Sequence, residues 1–207
     1  MTPNEFAGAL THRASLAGLV VPDIVVARLE AYFRLLATWN KKINLTALPL
    51  DSPTDETFDR LFVEPLIAAA RVPTIARKML DVGSGGGSPA IPLAIASPDL
   101  QLLMVESRSR KAVFLSEASR AVGLSNARVA SRRLEELAAD PAMQAGFDLV
   151  TMRAVRLDEN LESAVEALLR PGGTLMVFGG PAPTHSAFRG AQTLPLLDSE
   201  LILATKR

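Results

Sequence analysis

The stretch Leu80-Asp81-Val82-Gly83-Ser84-Gly85-Gly86-Gly87-Ser88-Pro89 constrains the fold more than any other part of the chain. It follows a short apolar run, KMLDV (78–82), which reads as a buried strand. It precedes PAIPLAIA (89–96), which reads as a helix opened by Pro89, a residue tolerated in the first helical turn. Glycines at 83, 85 and 87 let the backbone turn sharply and approach a ligand without Cβ clashes. In an open α/β sheet, a loop between a strand's carboxyl end and the next helix is where ligands bind.

The alternation continues beyond this unit. LQLLMVE (100–106) is a second strand, and SRKAVFLSEASRAVG (109–123) is a helix closed by Gly123. Strands follow at 127–130, 147–152 and 174–178. Before the last of these, LDENLESAVEALLR (157–170) reads as a helix stopped by Pro171-Gly172-Gly173. The spacing predicts an α/β fold with a doubly wound, mostly parallel, Rossmann-like sheet over 76–207. LILATK (201–206) offers one more strand, and 179–198, with three prolines and three glycines, is expected to be mostly loop.

Upstream the period is helical. Ile24, Val25, Leu29, Tyr32, Phe33 and Leu36 form a stripe over 23–37, with Asp23 as the expected N-cap. A second stripe, Phe58, Leu61, Phe62, Leu66 and Ile67, spans 57–70 despite Pro65. Residues 1–75 are therefore expected to be an N-terminal helical extension packed on the core.

Composition matters mainly for what it excludes. With 207 residues, 48% of them apolar, the chain can bury a sizeable core. No apolar run reaches the ~18 residues of a membrane-spanning helix, and the first residues lack a secretory pattern. Without cysteine there are no disulfides, thiolate zinc sites or Cys nucleophiles. The expectation is a cytoplasmic, metal-free monomer.

The formal net charge is zero, but it is a cancellation. Residues 107–133 hold Arg108, Arg110, Lys111, Arg120, Arg128, Arg132 and Arg133 against Glu117 alone. Residues 134–166 hold eight acids against Arg153 and Arg156. The basic segment is either a phosphate-binding surface or a solvated face paired with the acidic one.

The loop chemistry is more specific. Glu106 ends the second strand, where a carboxylate suits the two hydroxyls of an adenosine ribose. The spacing is G-x-G-x-G rather than the dinucleotide G-x-G-x-x-G, and no G-K-[ST] follows, so a Walker loop is excluded. Asp81 would repel a pyrophosphate but suits a cationic ligand, such as a sulfonium; its alternative role is to cap the turn. The pattern D-x-G-x-G-x-G is similar to the first motif of S-adenosylmethionine methyltransferases.

Further stretches narrow the resemblance. Trp39-Asn40-Lys41-Lys42-Ile43-Asn44-Leu45-Thr46, DVGSGGGSPAIPL (81–93), Glu106-Ser107 with Arg110 to Leu115, Ser131 to Glu136, Phe147-Asp148 through Arg153-Ala154, and Leu169 to Gly173 resemble signatures of the RsmG (GidB) family. That resemblance implies methylation of guanine N7 in 16S ribosomal RNA, with the small ribosomal subunit as partner and S-adenosylmethionine as cofactor. It also implies that Gly83 and Ser88 contact the cofactor, Glu106 holds its ribose, and Leu134 and Glu135 lie near the adenine. Arg153 would line the cofactor site, orient the acceptor, or bond guanine O6; its alternative is an ordinary ion pair, for instance to Asp148. Arg108, Arg110, Lys111 and Asn40 are the expected RNA-facing residues, Asn40 having a turn or cap role as its alternative. Trp39 and Phe33 either stack on a base or belong to the core, and His12 and His185 are expected to be exposed.

Besides Met152 at a Ser/Thr position and Arg110 where lysine is usual, two motifs depart from the family's pattern. Its R-H-x-x-D-S stands here as Arg60-Leu61-Phe62-Val63-Glu64-Pro65, and its K-G as Phe178-Gly179. The cofactor half is thus matched and the acceptor half altered. Two other readings stay open: transfer to a different RNA or a small molecule, and a non-catalytic, cofactor-binding assembly protein.

Overall fold

A computed structural model describes residues 1–207. Strands β1 (Lys78–Val82), β2 (Gln101–Val105), β3 (Ala127–Ala130), β4 (Phe147–Arg153) and β5 (Leu169–Phe178) pair in parallel. Strands β6 (Phe188–Pro195) and β7 (Glu200–Lys206) add an antiparallel edge. The order is β3-β2-β1-β4-β5-β7-β6, so the direction of winding reverses between β1 and β4. That reversal opens a crevice at the carboxyl ends of β1 and β4.

Side chains alternate along the buried strands and supply two cores. Met79, Leu102, Met104, Leu149 and Met176 face one layer, with helices α5 (Ala90–Ala96) and α6 (Ser109–Ala121). Leu80, Val82, Val150, Met152 and Leu175 face the other, with α7 (Leu134–Ala138) and α8 (Glu159–Leu168).

The N-terminal helices join the first core. They are α1 (Pro3–Leu16), α2 (Asp23–Asn40), α3 (Asp55–Phe58) and α4 (Glu64–Ala69), with a π-helical turn, Asp59–Val63, between the last two. Pro65 has no N–H to continue an α-helical ladder, which accounts for the irregular turn just before it. Phe6 of α1 meets Phe33, Phe58 and Phe62 at centroid distances of 5.3–5.4 Å. Arg13 holds the buried Asp59 through both carboxylate oxygens.

The structure corrects several expectations. Asp23 is the first residue of α2 rather than its cap, which is Pro22. Helix α8 starts after the capping Asp158 and ends at Leu168, so Pro171-Gly172-Gly173 lies inside β5, where the pairing with β4 shifts register. Residues 188–195 are strand, not loop. Only Phe188 of this edge strand is buried, so it carries no apolar alternation to read.

Candidate functional site

The crevice is a cavity of about 630 Å³, within the size range of small-molecule sites. One wall is the glycine loop, with Gly83, Ser84, Gly85, Gly86 and Ser88. The opposite wall is the loop 45–49 with Arg60, Leu61 and Arg153. Lys111, from the first turn of α6, reaches the same space.

The loop is fixed by backbone geometry. Gly83 and Gly87 have φ of +65° and +90°, and a Cβ at Gly87 would stand 2.7 Å from Ile91 Cδ1. Only glycine fits both demands. The Tyr32 hydroxyl donates to the Gly86 carbonyl, so α2 braces the loop from above. Burial pushes the Tyr32 phenol well above its ordinary pKa, which keeps it a donor. Nothing in the apolar stripe distinguished this tyrosine from its core neighbours.

Beneath the loop lies Asp81, 1% exposed. Its Oδ1 accepts a 2.6 Å hydrogen bond from Thr151 Oγ1, and Ser84 Oγ donates to its backbone carbonyl. Desolvation raises its pKa to about 6, against the stabilising effects of Ser84, Thr151 and Arg153. Glu106, also buried, uses Oε2 to accept from Gly85 N at 3.0 Å and Oε1 to accept from Arg108 N at 2.8 Å. It thereby ties the loop to the start of α6, and each oxygen keeps a further lone pair.

Arg153 closes the other side. Its Nη2 donates to Glu64 Oε2 at 2.7 Å, its Nη1 donates to the Arg60 carbonyl, and its guanidinium lies 4.7 Å over the Phe178 ring. Ser199 Oγ donates to the second Glu64 oxygen at 2.6 Å. Desolvation lowers the arginine's pKa to about 10, with Glu64 opposing the fall. The ion pair weighed as the alternative role of Arg153 is thus made, but with Glu64; Asp148, the example partner, pairs with Arg170. Two of the departing positions, Glu64 and Phe178, meet on this one side chain. A third, Leu61, lines the cavity.

Other predicted residues are placed differently. Asp81, Glu106 and Gly87 support the loop rather than line the cavity. Leu134 is buried in the second core and Glu135 is exposed on α7; neither lines the cavity. Asn40 is spent on its own loop: Oδ1 accepts from Leu45 N and Thr46 N, and Nδ2 donates to the Thr46 carbonyl. This is the turn role, and it leaves little of the amide for RNA. Ser88 Oγ donates to the Arg60 and Leu61 carbonyls, joining the two walls. His12 is exposed, but His185 is half-buried and packs edge-on against Phe188.

The charged segments do not pair with each other. Asp148, Asp158, Glu162 and Glu166 are bonded locally, to Arg170, the α8 N-terminus, the 184–185 backbone and Lys206. No ion pair joins a basic residue of 107–133 to any acid. Arg108 and Arg110 are exposed, and of Arg108, Arg110 and Lys111 only Lys111 lines the crevice. No cluster of three or more His, Asp or Glu stands where a metal could be held, and no helix is long and apolar enough to cross a membrane.

Comparison with known proteins gives a consistent result. The family model described as GidB, rRNA small subunit methyltransferase G, matches residues 25–196. Ribosomal RNA small subunit methyltransferase G of Xanthomonas axonopodis pv. citri (strain 306) is 42% identical over 159 residues, 76% of this chain and 70% of its own length. The protein of the same name from Streptococcus thermophilus (strain ATCC BAA-491 / LMD-9) is 31% identical over 98% of this chain and 84% of its own. Among solved structures, an S-adenosylmethionine-dependent methyltransferase from Aquifex aeolicus superposes with a TM-score of 0.55 at 15% identity, covering 71% of this chain and 91% of that one. A variant of MtNAS in complex with S-adenosylmethionine gives 0.56 at 14% identity, covering 88% and 77%. These two likenesses concern the fold.

Proposed function

The chain belongs to the RsmG (GidB) family, and from that premise we propose that it is an S-adenosylmethionine-dependent methyltransferase acting at guanine N7 of 16S ribosomal RNA. The observation that carries this reading is the glycine loop built over the buried Asp81. A buried carboxylate with raised pKa favours a cationic ligand, and the loop's bare backbone gives that ligand room. The donor set fits the cofactor: Gly83, Ser84 and Gly85 at the cavity wall, and Glu106 behind them with lone pairs to spare. Bound there, S-adenosylmethionine supplies an electrophilic methyl group on a positively charged sulfur.

The chain's own contribution is alignment. Guanine N7 carries an in-plane lone pair, so no general base is needed to make it nucleophilic. The cleft accordingly holds no histidine and no carboxylate dyad. Leu36, Leu45, Leu48 and Leu61 exclude water from one side. Arg153, fixed by Glu64 and Phe178, keeps N–H groups beyond the two it has spent and can direct them at an acceptor oxygen such as guanine O6. Holding two reactants in line accounts for much of the rate in such chemistry. Lys111 in the cleft and the exposed Arg108 and Arg110, all without acidic partners, supply the phosphate-facing charge. The protein works as a monomer in the cytoplasm, on the small ribosomal subunit.

A second reading, transfer to another RNA, rests on Leu61, an apolar side chain at the cavity wall where the family's pattern has histidine. Labelled methyl transfer separates the two. Small subunits lacking the modification should take up label, whereas transfer RNA and large subunits should not. Label in another RNA would favour the second reading, and cofactor binding without any transfer would sink both.

A further inference from the structure

A smaller cleft, of about 310 Å³, is formed by Trp39, Lys42, Ile43, Arg110 and Val113. We infer that this cleft is a second nucleotide subsite, which takes an unpaired base of the same RNA strand that presents the target guanine. The inference rests on the proposed RNA substrate, and its geometry is independent of the methyl-transfer site.

Helices α2 and α6 contribute residues to both clefts. On α2, Leu36 faces the cofactor crevice, and Trp39, one turn along, faces the smaller cleft. On α6, Lys111 faces the crevice, and the adjacent Arg110 faces the cleft. A strand leaving the crevice over the first turn of α6 would therefore meet Arg110 and then Trp39.

The lining has the chemistry of single-strand recognition. Trp39 packs on Phe114, with centroids 5.9 Å apart, and against the first core, and keeps only part of its ring exposed. Its indole N–H has no acceptor within the protein and is not buried. Val113, 56% exposed, extends an apolar surface beside it. Lys42 and Arg110 stand at the rim, both exposed and both without an acidic partner, and no acid lines the cleft. An aromatic face with cations at its edge suits a base and its phosphates. Trp39 thus serves the core with one part of its ring and leaves the other part to the cleft.

Trp39 is the only tryptophan in the chain, so its emission reports on this cleft directly. The full-length protein is titrated with a single-stranded RNA of about six nucleotides, with fluorescence read alongside anisotropy of the labelled RNA. Saturable quenching that tracks binding is the expected result, with no matching quench from inorganic polyphosphate or poly-glutamate. Arg110→Ala, at an exposed position, should lower the slope of log affinity against log salt by about 0.7. Trp39→Leu should weaken RNA binding roughly tenfold while leaving the S-adenosylmethionine dissociation constant unchanged. RNA binding without quenching would overturn the inference, as would equal quenching by poly-glutamate, which would mark a site for acidic protein. Methyl transfer is assayed separately. Quenching without transfer would sustain the subsite and sink the enzymatic reading; transfer without quenching would do the reverse.

Discussion

The two walls of the cofactor crevice are held by different means. The glycine wall is backbone: positive φ at Gly83 and Gly87, a brace from Tyr32, and a buried Asp81 that ionises reluctantly. The opposite wall is side chain: Arg153 gripped by Glu64, stacked on Phe178, and tied through Glu64 to Ser199 in the β6–β7 turn. The first wall follows the family's pattern almost residue for residue, and the second departs from it at Leu61, Glu64 and Phe178. A backbone cradle tolerates little change, because each residue is demanded by a dihedral or a close approach. A side-chain cluster can be rebuilt if its charges and contacts are replaced together. Glu64 and Phe178 illustrate this, since both departures serve the same guanidinium.

If that contrast is right, changes on the side-chain wall should cost stability first, and changes on the glycine wall should cost cofactor affinity first. Arg153→Ala has the largest expected effect. It strands Glu64, 1% exposed at its side chain, as an unpaired buried charge, and should cost about 3–5 kcal/mol of stability in denaturant unfolding. A loss below ~1 kcal/mol would mean the wall is not organised by this pair. Gly85→Asp should weaken S-adenosylmethionine binding by at least roughly a hundredfold, about 2.7 kcal/mol by calorimetry. Its stability cost should stay near ~1 kcal/mol, because aspartate tolerates the left-handed backbone present there, φ +51°. Unchanged affinity would misplace the site.

The pH dependence of Asp81 sharpens the same point. Its folded pKa, about 6, lies above the ordinary 3.8. The folded chain therefore binds the proton more tightly than the unfolded chain, and the stability this confers is lost as pH rises from about 4 to about 6. Asp81→Asn should remove that loss, raising stability at pH 7 by up to about 3 kcal/mol. It should also weaken cofactor binding. In the natural chain, affinity for the sulfonium should fall toward tenfold per pH unit below about pH 6. Flat affinity from pH 5 to 7 would show that the carboxylate does not meet the cation. Smallest in effect, Phe178→Leu removes the ring beneath Arg153 and should cost about 0.5–2 kcal/mol. Thermal unfolding at constant cofactor affinity is the check.

The two walls also differed in how far the sequence revealed them. Strand β1 was bounded at Lys78 and Val82 by apolar residues and the glycines that follow, and α6 was closed by Gly123, which has the left-handed conformation expected after a helix. These are local signals. The Glu64–Arg153 pair spans 89 residues, and no local pattern announces it; only the unusual residues at 64 and 178 marked the region. Strand β6 went unseen because an exposed edge has no buried face to impose alternation. Asn40 was legible as polar and near the site, but whether its amide faced RNA or its own loop depended on where residues 45 and 46 turn back. Neutral net charge was the least informative feature, since Asp148, Asp158, Glu162 and Glu166 bond locally and no acid pairs with the basic segment.

Methyl transfer to one guanine N7 in the small-subunit RNA leaves a chemical mark. N7-methylguanosine makes the chain cleavable by aniline after mild reduction. The decisive measurement is therefore strand scission of 16S ribosomal RNA after incubation with the protein and methyl-labelled cofactor. The expected result is label in that RNA and a single new cut at a guanosine, absent without cofactor. Labelled RNA that resists scission would contradict it, because the methyl would then lie on some other atom.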